Sequence, residues 1–174
     1  MALFDNIRHL YQLGYVTRDL DRAVDAYQEA AGPLEFMVSE QAVTVRADGE
    51  VGELRMRVAL ATSGRHQIEI IEPQSGLTGI YTQGLDFAQA PFVFHHVGIG
   101  IFGPHANWQA LEAEMQARGQ SFKLLFPPAL DPDPFVQFGY VDTRGLLGHY
   151  TEYLWWGPVL AGSPTFPVLE PDRP

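Results

Sequence analysis

The sequence predicts an α+β domain made of two tandem βαβββ modules. Three observations carry this. First, Tyr11-Gln12-Leu13-Gly14-Tyr15-Val16 and His95-His96-Val97-Gly98-Ile99-Gly100 read alike, as short apolar strands with Gly two residues after a polar side chain. Second, each is followed by a helical stretch and then by strands. Third, each repeat closes in a similar strand, His66-Gln67-Ile68-Glu69-Ile70-Ile71-Glu72 and His149-Tyr150-Thr151-Glu152-Tyr153-Leu154-Trp155. A repeated order of elements constrains the fold more than any single element does. One domain over residues 1–156 is expected, with modules at about 8–73 and 92–156, a linker at 74–91 and a proline-rich tail at 157–174.

The elements follow in order. After the first strand, Asp19 is a good N-cap and Gly32-Pro33 a strong stop, so a helix is expected over 20–31. Ala23, Val24, Tyr27 and Ala31 form its apolar face. Residues 43–46 and 54–60 alternate as half-buried antiparallel strands around the turn signal Asp48-Gly49-Glu50. The strand at 66–72 is closed by Pro73. Gly76, Gly79 and Gly84 then punctuate the linker. In the second module a helix is expected over 104–118, with Gly119 as its stop and Trp108, Leu111 and Met115 as its core stripe. Strands are expected at 122–126, 135–142 and 149–156, with residues 144–148 as a hairpin connection. The loop Pro127 to Pro134 is either a pocket lid or a rigid surface loop.

Composition narrows the function. At 174 residues with 46% apolar and 18% charged side chains, the chain can bury a sizeable core in a single domain. No apolar run is long enough for a transmembrane helix, and no signal peptide is visible, so a cytoplasmic chain away from membranes is expected. A net charge of −10 repels phosphate backbones, so nucleic acid is not an expected partner. The chain has no cysteine, which excludes disulfides, thiolate catalysis and Cys-ligated metals. A metal site must use His, Asp, Glu, Gln or Asn. Lys123 is the single lysine and has no visible partner to activate it, so no Schiff-base chemistry is expected.

The repeat aligns four polar side chains. Gln12 and Glu69 are 57 residues apart, and His96 and Glu152 are 56 apart. If the modules pair around a pseudo-two-fold axis, the four converge. Glu69 between Ile68 and Ile70, and Glu152 among Tyr150, Tyr153 and Leu154, are carboxylates on apolar strands, costly unless paired or coordinating. One nitrogen and three oxygens suit one divalent ion, with Zn, Ni, Co, Mn, Mg and Fe all open. Strand alternation turns His95 away from His96, as packing or as support for it. His66 and His149 read as structural hydrogen-bonding groups, and His105 as a surface residue opening the second helix. Glu72 has the opposite parity to Glu69. Phe92, Phe94, Phe138, Tyr140, Tyr150, Trp155 and Trp156 divide between core and pocket, which suits a small-molecule substrate with an apolar portion.

The pattern closely resembles the vicinal oxygen chelate superfamily, the glyoxalase and bleomycin-resistance fold. The segment 14–27, GYVTRDLDRAVDAY, looks like its opening strand and helix, 94–101, FHHVGIGI, like the start of its second module, and 148–154, GHYTEYL, like its closing strand. The resemblance covers about residues 8–156 and implies a glyoxalase-like curved mixed sheet. It implies metal ligands at Gln12, Glu69, His96 and Glu152, a set similar to that of many glyoxalase I enzymes. Methylmalonyl-CoA epimerases usually have His at the position of Gln12, and the extradiol dioxygenases use a His, His, Glu triad. The implied activity is a metal-dependent isomerase, epimerase or lyase that stabilises an enediolate or enolate, with Glu152 as base and Glu69 as the alternative. Other readings are an iron-dependent dioxygenase, thiol addition to an epoxide, a metal-independent binding protein of bleomycin-resistance type, and a structural homodimer. A homodimer is the expected assembly, with the modules closing within one chain or exchanging between two.

Overall fold

In the computed structural model, described for residues 8–64, 66–129, 134–158 and 160, each module builds the same four-strand unit. The first comprises β1 (Arg8–Thr17), α1 (Leu20–Ala31), β2 (Met37–Ala47), β3 (Glu50–Ser63) and β4 (His66–Gly76). The short helix α2 (Gly79–Thr82) lies between the modules. The second comprises β5 (Phe92–Ile101), α3 (Ala106–Ala117), β6 (Leu124–Phe126), β7 (Val136–Val141), the one-turn helix α4 (Arg144–Leu147) and β8 (Tyr150–Trp156).

Local chemistry explains the elements. Asp19 caps α1 by accepting from the Arg22 backbone N–H at 3.1 Å, and Gly32 ends it with φ of +91°. Asp48 and Gly49 both have positive φ, as a two-residue hairpin turn between twisted strands requires. On α1, Leu20 and Ala23 are buried against Ala59, Ile68 and Ile70, with Val24 and Tyr27 packed beside them. Ala31, expected on this apolar face, is exposed. Trp108, Leu111 and Met115 of α3 pack on Ile99, Ile101 and Val141, as their spacing predicts. Truncating the fully buried Trp108 to alanine would cost about 3–5 kcal/mol.

The strands close into a mixed barrel in the order β1-β4-β3-β2-β6-β7-β8-β5. Each module contributes four consecutive strands, joined by antiparallel β1–β5 pairing and by a short β2–β6 contact at Arg46–Leu125 and Ala47–Leu124. The expected curved mixed sheet is therefore closed, and the two modules meet within one chain.

Three expectations need correction. Pro73 does not end β4. The β3–β4 register shifts between Arg55 and Met56, and this irregularity accommodates the proline while pairing continues to Gly76. The hairpin connection at 144–148 is a helical turn ended by Gly148 with φ of +80°. The linker is more than a connector, because α2 buries Ile80 and Tyr81 in the barrel core. Residues 130–133 of the proposed lid and nearly all of the tail lie outside the described residues.

Candidate metal centre

The β1–β5 pairing creates the site. Gln12 stands opposite Gly98, and Gly14 stands opposite His96. Each glycine makes room for the other module's polar side chain. A Cβ on Gly14 would run into the His96 imidazole, and one on Gly98 would lie 2.7 Å from Gln12 Cβ. The parallel pairings repeat the pattern, with Gly14 beside Glu69 and Gly98 beside Glu152. The Gly two residues after each polar residue is thus the space that lets four side chains from two modules converge.

Two bulges complete the arrangement. The β1–β5 register skips Tyr11, between Leu10 and Gln12, and skips His95, opposite the Gly14–Tyr15 step. A bulge breaks alternation, so a bulged residue and its neighbour can share a face. Alternation had placed His95 on the face opposite His96. Instead the two imidazoles meet, Nδ1 to Nδ1 at 3.0 Å, and His95 packs among Tyr81, Tyr140 and Tyr150.

This contact sets tautomers. His95 Nε2 donates to the Ile80 carbonyl at 3.0 Å. Burial first, and the neighbouring His96 second, pull the His95 pKa down to about 3, so its ring is neutral and its Nδ1 is an acceptor. His96 Nδ1–H therefore donates to His95. The His96 Nε2 is left facing the barrel interior.

Three side-chain oxygens crowd that nitrogen. Gln12 Oε1 and Glu69 Oε2 lie 3.3 Å from it, and Glu152 Oε2 lies 3.5 Å away. Gln12 is oriented by its own amide N–H, which donates to Gln67 Oε1 at 2.8 Å. His96 is fully buried and Glu152 is 5% exposed. Burial alone would depress the His96 imidazolium, but Glu152 and Glu69 outweigh it and hold its pKa at about 9 in the metal-free protein. Burial, with the neighbouring Glu152 charge, raises the Glu69 carboxyl despite His96.

The donor set fits a divalent cation. One imidazole N–H cannot serve three oxygens, and the buried Glu69 Oε2 makes no hydrogen bond among the described residues. Donor atoms bound to one ion at roughly 2.0–2.2 Å stand about 3–4.4 Å apart. The Glu69, His96 and Glu152 donor atoms lie within 4.8 Å of one another.

Gln12, Glu69 and Glu152 line a cavity of about 180 Å³, with His96 buried behind them. Its polar floor carries Gln12, Gln67, Glu69 and Glu152, with Tyr11, Tyr81 and Tyr140 beside them. Its walls include Val43, Met56, Leu60, Phe126 and Phe138. Burial first, then the Glu152 and Glu69 charges, raise the Tyr11 phenol far above its usual range, so it stays a neutral O–H.

The remaining histidines serve elsewhere. His149 donates to the Tyr150 carbonyl at 2.7 Å, and His66 is exposed at the start of β4. His105 is not a surface residue. It is half-buried, bonded to Gln137 at 2.7 Å and packed on Trp155. Glu72 lies outside the site, paired with Arg57 at 3.0 Å. Gln67 was missed, although it shares strand parity with Glu69. Tyr81 was missed because its segment reads as a linker.

Comparison with known proteins agrees with this architecture. No family model matches the sequence, and no curated protein matches it. Among solved structures, the chain is similar to a methylmalonyl-CoA epimerase from Mycobacterium tuberculosis, at 14% identity and TM-score 0.53 over 92% of this chain and 95% of that one. It is also similar to a methylmalonyl-CoA epimerase in complex with methylmalonyl-CoA and NH4+, at 16% identity and TM-score 0.54 over 92% and 99%. A hypothetical protein from Bacillus halodurans matches at 14% identity and TM-score 0.51 over 86% and 95%. These likenesses define the fold, and the chain has the vicinal oxygen chelate fold. Among the described residues, no helix is long and apolar enough to cross a membrane.

Proposed function

We propose that the protein is a metal-dependent isomerase, epimerase or lyase acting on a small carbonyl compound. The observation that carries this reading is the convergence of Gln12 Oε1, Glu69 Oε2 and Glu152 Oε2 on His96 Nε2 at the floor of a cavity. Gln12, Glu69, His96 and Glu152 would hold one divalent ion. When bound, that ion would stabilise negative charge on a carbonyl oxygen.

The chain's own residues do the rest. The His95–Ile80 hydrogen bond holds His96 in the tautomer that leaves Nε2 available. Gln67 aims the Gln12 carbonyl oxygen inward. Glu152 accepts the carbon-bound proton next to the carbonyl and returns it, with Glu69 as the other carboxylate within reach. Val43, Met56, Leu60, Phe126 and Phe138 would pack on the apolar part of a substrate. The metal-independent binding reading is favoured where these four side chains stand apart or in solvent, and their convergence supports the metal-dependent reading instead. All four come from one chain, so assembly as a homodimer would not be needed to complete the site.

The test is solvent-deuterium exchange next to the carbonyl of α-hydroxy ketones and 2-substituted acyl thioesters by metal-loaded protein. Exchange is expected for the wild type and not for Glu152→Gln with an intact fold. Undiminished exchange by Glu152→Gln would remove Glu152 as the base.

A further inference from the structure

Three buried side-chain atoms lack a hydrogen-bond partner among the described residues, namely Tyr11 Oη, Glu69 Oε2 and Trp108 Nε1. The Trp108 ring is stacked on Phe122 under α3, away from the cavity. The other two belong to residues lining one cavity. Glu69 is accounted for by the proposed ion. Tyr11 is not.

Its position is built. Tyr11 is the bulged residue of β1, the counterpart of His95 in β5. It is fully buried, with its ring against Trp156 and Leu154. A Cβ on Gly98 would lie 3.2 Å from Tyr11 Cε1, so the glycine also makes room for this ring. A phenylalanine would pack there equally well. A buried hydroxyl without a partner costs stability, and its presence calls for a ligand that accepts from it.

The cavity wall supplies a second, independent observation. Among the described residues it has no lysine or arginine, and its only charged side chains are Glu69 and Glu152. Arg55 lies in an adjoining surface recess and is already paired with Glu53 at 2.5 Å. Glu69 and Glu152 would balance the two charges of the proposed ion, so a carboxylate or phosphate on the body of a ligand would be buried with no lysine or arginine of the lining to pair with it.

We propose that the cavity takes an uncharged carbonyl compound with an apolar body, and that the Tyr11 hydroxyl donates to its carbonyl oxygen. The proposal rests on the reaction class given above for the same site. Tyr11 would be a donor to the oxygen on which charge develops when Glu152 takes the proton.

The test uses the zinc-loaded full chain and Tyr11→Phe, with α-hydroxyacetophenone and its para-carboxylate analogue as probes. Binding is read by ligand-observed NMR titration, and exchange by loss of the CH2 signal in deuterium oxide. The wild type is expected to bind the neutral ketone at least about tenfold more tightly than the carboxylate. Tyr11→Phe is expected to bind the neutral ketone roughly three- to tenfold more weakly and to exchange it about a hundredfold more slowly. Its zinc content should be unchanged, and its thermal midpoint unmoved or raised, which a structural role for the hydroxyl would not produce. Equal binding and exchange by Tyr11→Phe, or equal binding of the carboxylate by the wild type, would overturn the proposal. If neither protein exchanges the ketone but binding stays Tyr11-dependent and charge-selective, this inference is supported and the proposed reaction fails.

Discussion

The two half-sites share one backbone plan and differ in chemistry. In the first, the bulged pair is Tyr11-Gln12 and the strand carboxylate is Glu69. In the second, the bulged pair is His95-His96 and the carboxylate is Glu152. His95 uses its position to fix the His96 tautomer, whereas the Tyr11 hydroxyl has no partner among the described residues. Gln12 is oriented from the neighbouring strand by Gln67. Duplication thus supplied the geometry, and divergence divided the tasks. Beside its carboxylate, the second module presents a buried imidazole locked for ligation, and the first presents the Gln12 amide oxygen and the Tyr11 hydroxyl.

The sharpest probe of this asymmetry is the carboxylate pair. Glu152→Gln in metal-loaded protein is expected to lower deuterium exchange by roughly 10²–10⁴-fold, and Glu69→Gln by less. A larger loss in Glu69→Gln would move the base to the first module. Next is the reciprocal glycine packing. Gly14→Ala forces a methyl group into the His96 ring and should cost about 1–3 kcal/mol in denaturant unfolding. Gly98→Ala should cost less, because its methyl would stand 2.7 Å from Gln12 Cβ, a smaller overlap than that of a Gly14 Cβ with the His96 ring. Equal losses would show that the two contacts are equally rigid.

The tautomer lock is tested by His95→Phe, which keeps the ring volume and removes both nitrogens. Competition titration should find metal binding weakened by about 10–100-fold. The smallest expected effect is at Gln67→Leu. Losing the hydrogen bond that orients Gln12 should weaken metal binding by roughly two- to tenfold, about 0.5–1.5 kcal/mol.

Much of the site was legible in the sequence, for a physical reason. Alternation along strands, plus a repeat matched within one residue, places equivalent side chains at equivalent depths, and Gln12, Glu69, His96 and Glu152 do meet. The polar-x-Gly motif was visible too, although its reason was not, because the space each glycine provides is used by the other module. What stayed hidden depends on breaks in regularity. No local residue marks a bulge, so His95 was placed on the wrong face and Tyr11 was passed over. Pro73 reads as a stop, yet an irregular register accommodates it within β4. Ile80 and Tyr81 sit in a glycine-punctuated stretch, and only the closed barrel turns them toward His95 and the cavity.

The central claim is that His96 and its three oxygen neighbours form one divalent-metal site. Calorimetric titration of chelator-treated protein with zinc tests it most directly, with His96→Ala as the control. The prediction is one equivalent bound by the wild type, with affinity at least about a hundredfold weaker in the variant at an unchanged fold. Equal stoichiometry and affinity in the two proteins, or no binding by the wild type, would contradict it.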